Sequence, residues 1–259
     1  MLTLEALEAL GSPLAARVEL HEEIGSTQQR ALDLAREGAP NGTLVVSKVQ
    51  TGGRGRLERR WGSPSGGLWM SVVLRLDLAL RLASRVTPAA AVGVAKALRG
   101  FGVDARIKWP NDILVGGAGG NKICGILAQS GGRPPTNFVV LGVGVNANVD
   151  PRDLEAPSRN VTTMRSELGH DVALLELLEA VLSKLDFELS RLHDFAFVLD
   201  DWRALDCTIG RRVRVQRFGE VVEGTAADLG PEGQLVIRTQ TDAVEIFEGD
   251  VEHLRQQDS

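Results

Sequence analysis

The sequence predicts an α/β (α+β) fold: a mixed central sheet with flanking helices, followed by a small C-terminal β-barrel of SH3-like size. Three observations predict it. Apolar, β-branched runs are interspersed with helix-periodic segments over residues 1–205. After Asp206 the texture changes to short alternating strands, punctuated by Gly-Glu, Gly-Pro-Glu-Gly and Glu-Gly-Asp turns. The chain has 259 residues, 43% hydrophobic and 24% charged, which suits one main domain with a small companion and a core that needs no staples. The expected domains are therefore 1–205 and 206–259.

Taken in order, residues 2–10 read as a short amphipathic helix, and 18–27 alternate briefly as a strand. A helix follows, capped by Ser26 or Thr27, with Ala31, Leu34 and Ala35 on its apolar face and Gly38 at its end. Residues 42–50 and 66–76 are strands by their β-branched and apolar content. Thr87 to Leu98 is an alanine-rich helix with Pro88 in its first turn. Residues 104–115 read as a strand interrupted by Trp109-Pro110-Asn111-Asp112, and 116–120 as a tight glycine turn. Two apolar strands follow at 121–130 and 137–148. The second is nearly continuous, as a strand at the sheet centre would be. Residues 171–194 carry the strongest helical periodicity in the chain.

Composition excludes several classes of function. Net charge is −5, so no global basic field draws the chain to nucleic acid. The two cysteines, Cys124 and Cys207, show neither a disulfide framework nor a zinc pattern, which fits a reducing compartment. The four histidines lack ligand spacing. The N-terminal segment is acidic where an export signal would be basic, and the most apolar stretch (78–98) contains Arg81, Arg85 and Lys96. A cytoplasmic protein that binds neither membrane nor nucleic acid is expected.

The chemistry concentrates in three stretches. "TGGRGRLERRW" (51–61) places four arginines among glycines between two strands. Glycine lets backbone approach a ligand, and arginine offers a fork of donors to a carboxylate or phosphate. "KWPND" (108–112) and "NKICGI" (121–126) add Lys108, Asn111, Asp112 and Lys122, with the two lysines expected on neighbouring strands. Such a set suits chemistry in which charge stabilisation dominates. "GVGVNA" (142–147) mimics a dinucleotide fingerprint, but "NVDPRD" follows where a helix should open, so its glycines are expected instead to let something lie against a strand. The chain contains neither a P-loop nor a G-x-S-x-G elbow.

In their order along the chain these motifs resemble the biotin–protein ligases: "GSTQ", the glycine–arginine stretch, "KWPNDILV", "NKICGILAQ", "VVLGVGVNAN" and the β tail, over roughly residues 18–255. The resemblance implies a class II synthetase-like catalytic domain. It implies that ATP, with Mg2+, activates biotin to biotinyl-5′-AMP, and that biotin then passes to a lysine of a biotin carboxyl carrier protein domain of acetyl-CoA carboxylase or a related carboxylase. Carried over by position, Ser26, Thr27, Gln28 and Gln50 line the ureido end of biotin. Arg54, Gly55 and Arg56 close over its carboxylate and the adenylate phosphate, and Lys122 touches both groups. Trp61 packs on adenine, and Lys108, Asn111 and Asn146 serve the nucleotide. Lys122, Arg54 and Asp112 form the catalytic set, and no residue is assigned as a resident-metal ligand. Arg59 and Arg60 have no assigned partner and are expected to face solvent. Two residues depart from the family pattern: Gln28 stands where asparagine is usual, and Glu58 where glycine is usual.

Some family members carry an N-terminal DNA-binding domain. Only 17 residues precede Val18 here, so a ligase without repressor activity is expected. The alternatives are a lipoate–protein ligase, which shares the fold, and a nucleic-acid-binding protein using the arginine stretch.

Overall fold

The computed structural model describes residues 2–75, 83–132, 137–154, 161–217 and 219–254. A seven-stranded sheet organises residues up to 205. Its strands are β1 (Arg17–Ile24), β2 (Thr43–Gln50), β3 (Leu68–Leu74), β4 (Ala105–Lys108), β5 (Asp112–Val115), β6 (Asn121–Gly131) and β7 (Phe138–Val145), in the order β1-β2-β3-β7-β6-β5-β4. Only the β1–β2 pair is parallel. β7, the nearly continuous apolar run, sits at the centre as its composition predicts.

The helices are α1 (Leu4–Glu8), α2 (Thr27–Arg36), α3 (Ala83–Gly100), α4 (Met164–Leu168), α5 (Leu174–Ser190) and α6 (Phe195–Leu205). One sheet face is covered by α3, which packs on α5 and α6. Alanines at 89, 90, 91, 95 and 97 keep α3 thin, and at Gly93 an added Cβ would lie 3.0 Å from the Lys184 carbonyl oxygen. The opposite face is covered at one end only. There α2 lays Ala31, Leu32, Leu34 and Ala35 on Val45, Val73, Phe138 and Val140. The candidate site lies on the rest of that face.

The C-terminal unit is a five-stranded antiparallel sheet of β8 (Arg212–Arg217), β9 (Glu220–Leu229), β10 (Leu235–Arg238), β11 (Ala243–Ile246) and β12 (Asp250–His253). Its apolar side joins the main core through Val213, Val215, Leu235 and Ile237. Arg85 reaches Glu232 with a bidentate ion pair at 2.8 and 2.6 Å, and the Trp109 indole donates to the Gly233 carbonyl at 3.0 Å.

Four expectations change. α3 is already helical at Ala83, so Pro88 lies inside the helix and not in its first turn. The strand expected at 104–115 is a hairpin, β4 and β5, turning at a cis Trp109–Pro110 peptide. That hairpin puts β5 between Lys108 and Lys122, which are therefore not on neighbouring strands. The helical run at 171–194 ends at Ser190, and α6, which periodicity did not reveal, follows after a short break.

Candidate active site

The site is built on missing side chains. Along β6 and β7 the residues facing the open side are Gly125, Leu127 and Gln129, opposite Gly144, Gly142 and Val140. Three glycines in this patch leave a bare floor, and a cavity of about 880 Å³ stands over it. Every residue assigned a role from sequence lines that cavity: Ser26, Thr27, Gln28, Gln50, Arg54, Gly55, Arg56, Trp61, Lys108, Asn111, Asp112, Lys122 and Asn146. "GVGV" is thus strand and floor. β7 ends at Val145, and the next helical segment is a single turn at Pro151–Asp153, so no dinucleotide fingerprint is formed.

At one end α2 begins over the sheet. The Ser26 hydroxyl caps it by accepting from Gln29 N at 3.4 Å. Thr27 donates from its backbone N to Gln50 Oε1 at 2.8 Å, and its hydroxyl lies 2.9 Å from Ser71 Oγ. Gln50 Nε2 donates to Ser63 Oγ at 2.8 Å. Ser71 donates to Gln28 Oε1 at 3.1 Å, and the Gln28 amide donates to Val140 O and Gln129 Oε1. Gln28, Thr27 and Ser71 are all buried. Ser71, Ser63 and Gln129 were not singled out from sequence. Ser71 left a signal, as a lone hydroxyl inside the otherwise apolar strand "LWMSVVL".

At the other end lie the charges. Lys122 Nζ is 2.5 Å from Asp112 Oδ1 and 4.9 Å from the Trp61 ring centroid. Trp61 lies flat on the glycine floor: a Cβ at Gly144 would be 2.6 Å from its Nε1, and one at Gly125 would be 3.1 Å from its Cζ3. Its indole N–H is buried and has no acceptor among the described residues. The same holds for the acceptor oxygen of Asn146, whose amide nitrogen is held by Thr162 O at 3.1 Å. Two residues of the cavity lining thus each carry a buried polar atom with no protein partner among the described residues.

The arginine stretch folds as an ordered loop. Trp61 N donates to Gly53 O at 2.9 Å, and Gly55 N donates to Arg59 O at 2.7 Å. Leu57 at its tip has φ of 53° and is exposed. Arg54 is exposed, and its guanidinium has no protein partner among the described residues. Arg56 is half-buried between Asn111 Oδ1 at 3.2 Å and Gly249 O at 3.4 Å. Burial pulls its guanidinium below the ordinary arginine value, against the attraction of Asp250, Asp112 and Glu248. Arg59 and Arg60 are exposed, as expected, and each has a partner that the sequence did not assign: Arg59 pairs with Asp250 of β12, and Arg60 donates to Thr51 O at 3.3 Å. Contact with a residue 191 positions away is invisible to local sequence. The Glu58 side chain lies outside the described residues.

Neither cysteine is reactive. Burial pushes the Cys124 thiol far above its ordinary value and Cys207 up to about 12. Both are free thiols. Among the described residues no cluster of histidine, cysteine, aspartate and glutamate forms a metal site, and no helix is long and apolar enough to cross a membrane.

A floor of strand glycines with an amide–hydroxyl end, a lysine–carboxylate end and an arginine loop can hold a polar head at one end and an anion at the other. Residues 20–146 match the biotin/lipoate A/B protein ligase family, and residues 208–254 match the biotin protein ligase C terminal domain. The chain is 33% identical over 240 residues to the bifunctional ligase/repressor BirA of Bacillus subtilis, covering 90% of this chain and 72% of that protein. It is 32% identical to the biotin–[acetyl-CoA-carboxylase] ligase of Mycobacterium tuberculosis, covering 92% of this chain and 90% of that one. The fold superposes on the Aquifex aeolicus biotin protein ligase, solved in complex with biotin and ATP, with a TM-score of 0.75 at 26% identity, over 93% of this chain and 99% of that one. The chain belongs to the biotin protein ligase family.

Proposed function

We propose that the protein activates biotin with ATP and transfers it to a lysine of a biotin carboxyl carrier protein domain, that of acetyl-CoA carboxylase or a related carboxylase, in the cytoplasm. The convergence of all the assigned residues on one glycine-floored cavity carries this reading. In the first step a biotin carboxylate oxygen attacks the α-phosphorus of ATP. The bond to the β-phosphate oxygen breaks, and biotinyl-5′-AMP and pyrophosphate result. In the second, a deprotonated carrier lysine attacks the acyl carbon, the acyl–phosphate bond breaks, and an amide and AMP form.

Both steps concentrate negative charge between carboxylate and phosphate. Lys122 is the cation for that place, since its ammonium projects over the floor from β6. While it pairs with Asp112, a substrate carboxylate must compete for it. Arg54, whose guanidinium has no protein partner among the described residues, and Arg56 close over the same anion and exclude water, which would hydrolyse the anhydride. Asp112 also stands where it can orient the incoming amine. The amide–hydroxyl end made by Ser26, Thr27, Gln28 and Gln50 takes the ureido ring. Lys108, Asn111, Asn146 and Trp61 serve the nucleotide.

Mg2+ fits the oxygens present. It needs only one or two protein oxygens besides phosphates, and the Asp112 carboxylate and the orphan Asn146 Oδ1 supply them. The ion supplies neutralisation of phosphate charge when bound. Residues 1–205 form the catalytic domain in this reading and 206–259 the C-terminal one, which borders the cavity through Asp250 and Val251.

The test is direct. The protein is incubated with Mg-ATP and either biotin or lipoate, and the adenylates are sought by mass spectrometry. Biotinyl-5′-AMP is expected. Its absence from folded protein, or preferential formation of lipoyl-AMP, refutes the proposal.

A further inference from the structure

The cavity's amide end has a fixed hydrogen-bond polarity. The Val140 carbonyl can only accept, so the Gln28 amide nitrogen, 3.2 Å away, must point to it. The second hydrogen of that nitrogen goes to Gln129 Oε1 at 3.0 Å. Both amide hydrogens are then committed inside the protein. Gln28 Oε1 takes one donor, Ser71 Oγ at 3.1 Å, and keeps one lone pair. A Cβ on Gly142 would lie only 2.5 Å from it, so the oxygen sits against the glycine floor. Gln28 lines the cavity and offers a ligand an acceptor only.

Gln129 completes this arrangement from outside. It stands on β6 directly opposite Val140 and is not part of the cavity lining. Without its oxygen, Gln28 keeps one anchor, and its amide can turn to present nitrogen to Ser71, whose hydroxyl also accepts. We propose that Gln129 is a positioning residue for substrate specificity: it locks the Gln28 amide so that its oxygen faces the ligand, and the site thereby selects a ring that donates N–H. This rests on the biotin reading above, because a cyclic urea brings two N–H donors whereas a dithiolane ring brings none. The longer side chain at position 28 and the glutamine at 129 are, on this account, one device: the extra methylene carries the amide to an acceptor on the next strand.

The experiment uses the full chain, with ligand affinity by calorimetry and adenylation by pyrophosphate release. Gln129→Leu is expected to weaken biotin binding roughly tenfold, the worth of one oriented hydrogen bond, with kcat at saturating biotin and KM for ATP unchanged. Gln129→Glu keeps an acceptor and is expected to bind biotin within about twofold of the parent, on the same hydrogen-bond reasoning. Two biotin analogues, each methylated on one ureido nitrogen, isolate the contact. With the analogue whose blocked nitrogen faces Gln28, the Leu substitution adds no further loss. Equal losses for biotin and both analogues would show a merely structural role and overturn the inference, as would unchanged biotin affinity in Gln129→Leu. Gln129→Thr gives the same reading if the leucine variant does not fold. A parent protein that forms no biotinyl-5′-AMP sinks the proposed function instead, so the two failures are distinguishable.

Discussion

Replacing Lys122 by alanine separates what this residue does for the fold from what it does for chemistry. Its ammonium is 2.5 Å from Asp112 Oδ1, and Asp112 is only 6% exposed. Removing one member of a buried ion pair costs about 3–5 kcal/mol, because the other charge is left without a partner. The open cavity lets water reach Asp112, so the lower value of about 3 kcal/mol applies. For a chain of this size that is a fall in Tm of roughly 6–12 °C. The chemical loss is separate: removing one group that stabilises developing charge costs about 10²–10³ in rate. The double variant Lys122→Met/Asp112→Asn removes both charges and is expected to recover most of the Tm. Its adenylation rate stays low. Calorimetric Tm and ATP–pyrophosphate exchange read the two effects, with Asp112→Asn alone as the control for the carboxylate. An unchanged Tm in Lys122→Ala would refute the structural pairing, and near-parental exchange in the double variant would refute the chemical role.

Three more outcomes are expected. Gly144→Ala puts a methyl 2.6 Å from Trp61 Nε1 and forces the indole off the floor; a shift in tryptophan emission with weaker biotin binding is predicted, and an unaltered spectrum refutes the packing. Asp206 is held by burial at a pKa of about 6, above its ordinary 3.8, despite donors from Ile209, Thr208 and Trp202. A raised carboxyl pKa means the native state holds its proton more tightly, so the stability it contributes is full below 3.8 and is lost as pH rises through about 6. The loss amounts to about 3 kcal/mol, and Asp206→Asn should gain Tm on the parent steadily between pH 4 and 7; a constant difference across that range counts against it. Asp250→Ala releases Arg59, and faster protease cleavage within 54–60 is expected with little change in Tm, because the pair is partly exposed. An unchanged cleavage rate would mean the tether does not order the loop.

Much of the site was legible locally. Ser26 as a cap, the glycine–arginine stretch as a loop between two strands and the clustering of Lys122 with Asp112 follow from residue chemistry and spacing. So does rejection of the dinucleotide motif, because "NVDPRD" cannot open a helix. Less was legible where the chain doubles back. The turn at Trp109–Pro110 was visible, but that it folds β4 against β5, and so parts Lys108 from Lys122, depends on pairing with β6. Gly249, one of the two partners of Arg56, and Asp250, which pairs with Arg59, lie on the β11–β12 segment, and α6 carries an apolar face that overlaps in texture with the helix before it.

By itself, the sequence determined which residues are present to recognise an anion, which runs prefer strand or helix, and where the chain changes character. These are properties of short windows, set by side-chain chemistry and by periods of two and 3.6 residues. Only the tertiary structure decided that Gly125, Gly142 and Gly144 share one face and one patch, that Trp61 lies on Gly125 and Gly144, and that the Gln28 amide nitrogen is turned to the Val140 carbonyl and its oxygen to Ser71. Strand register brings together side chains separated by tens of residues. The direction of an amide is then set by which backbone carbonyl lies next to it.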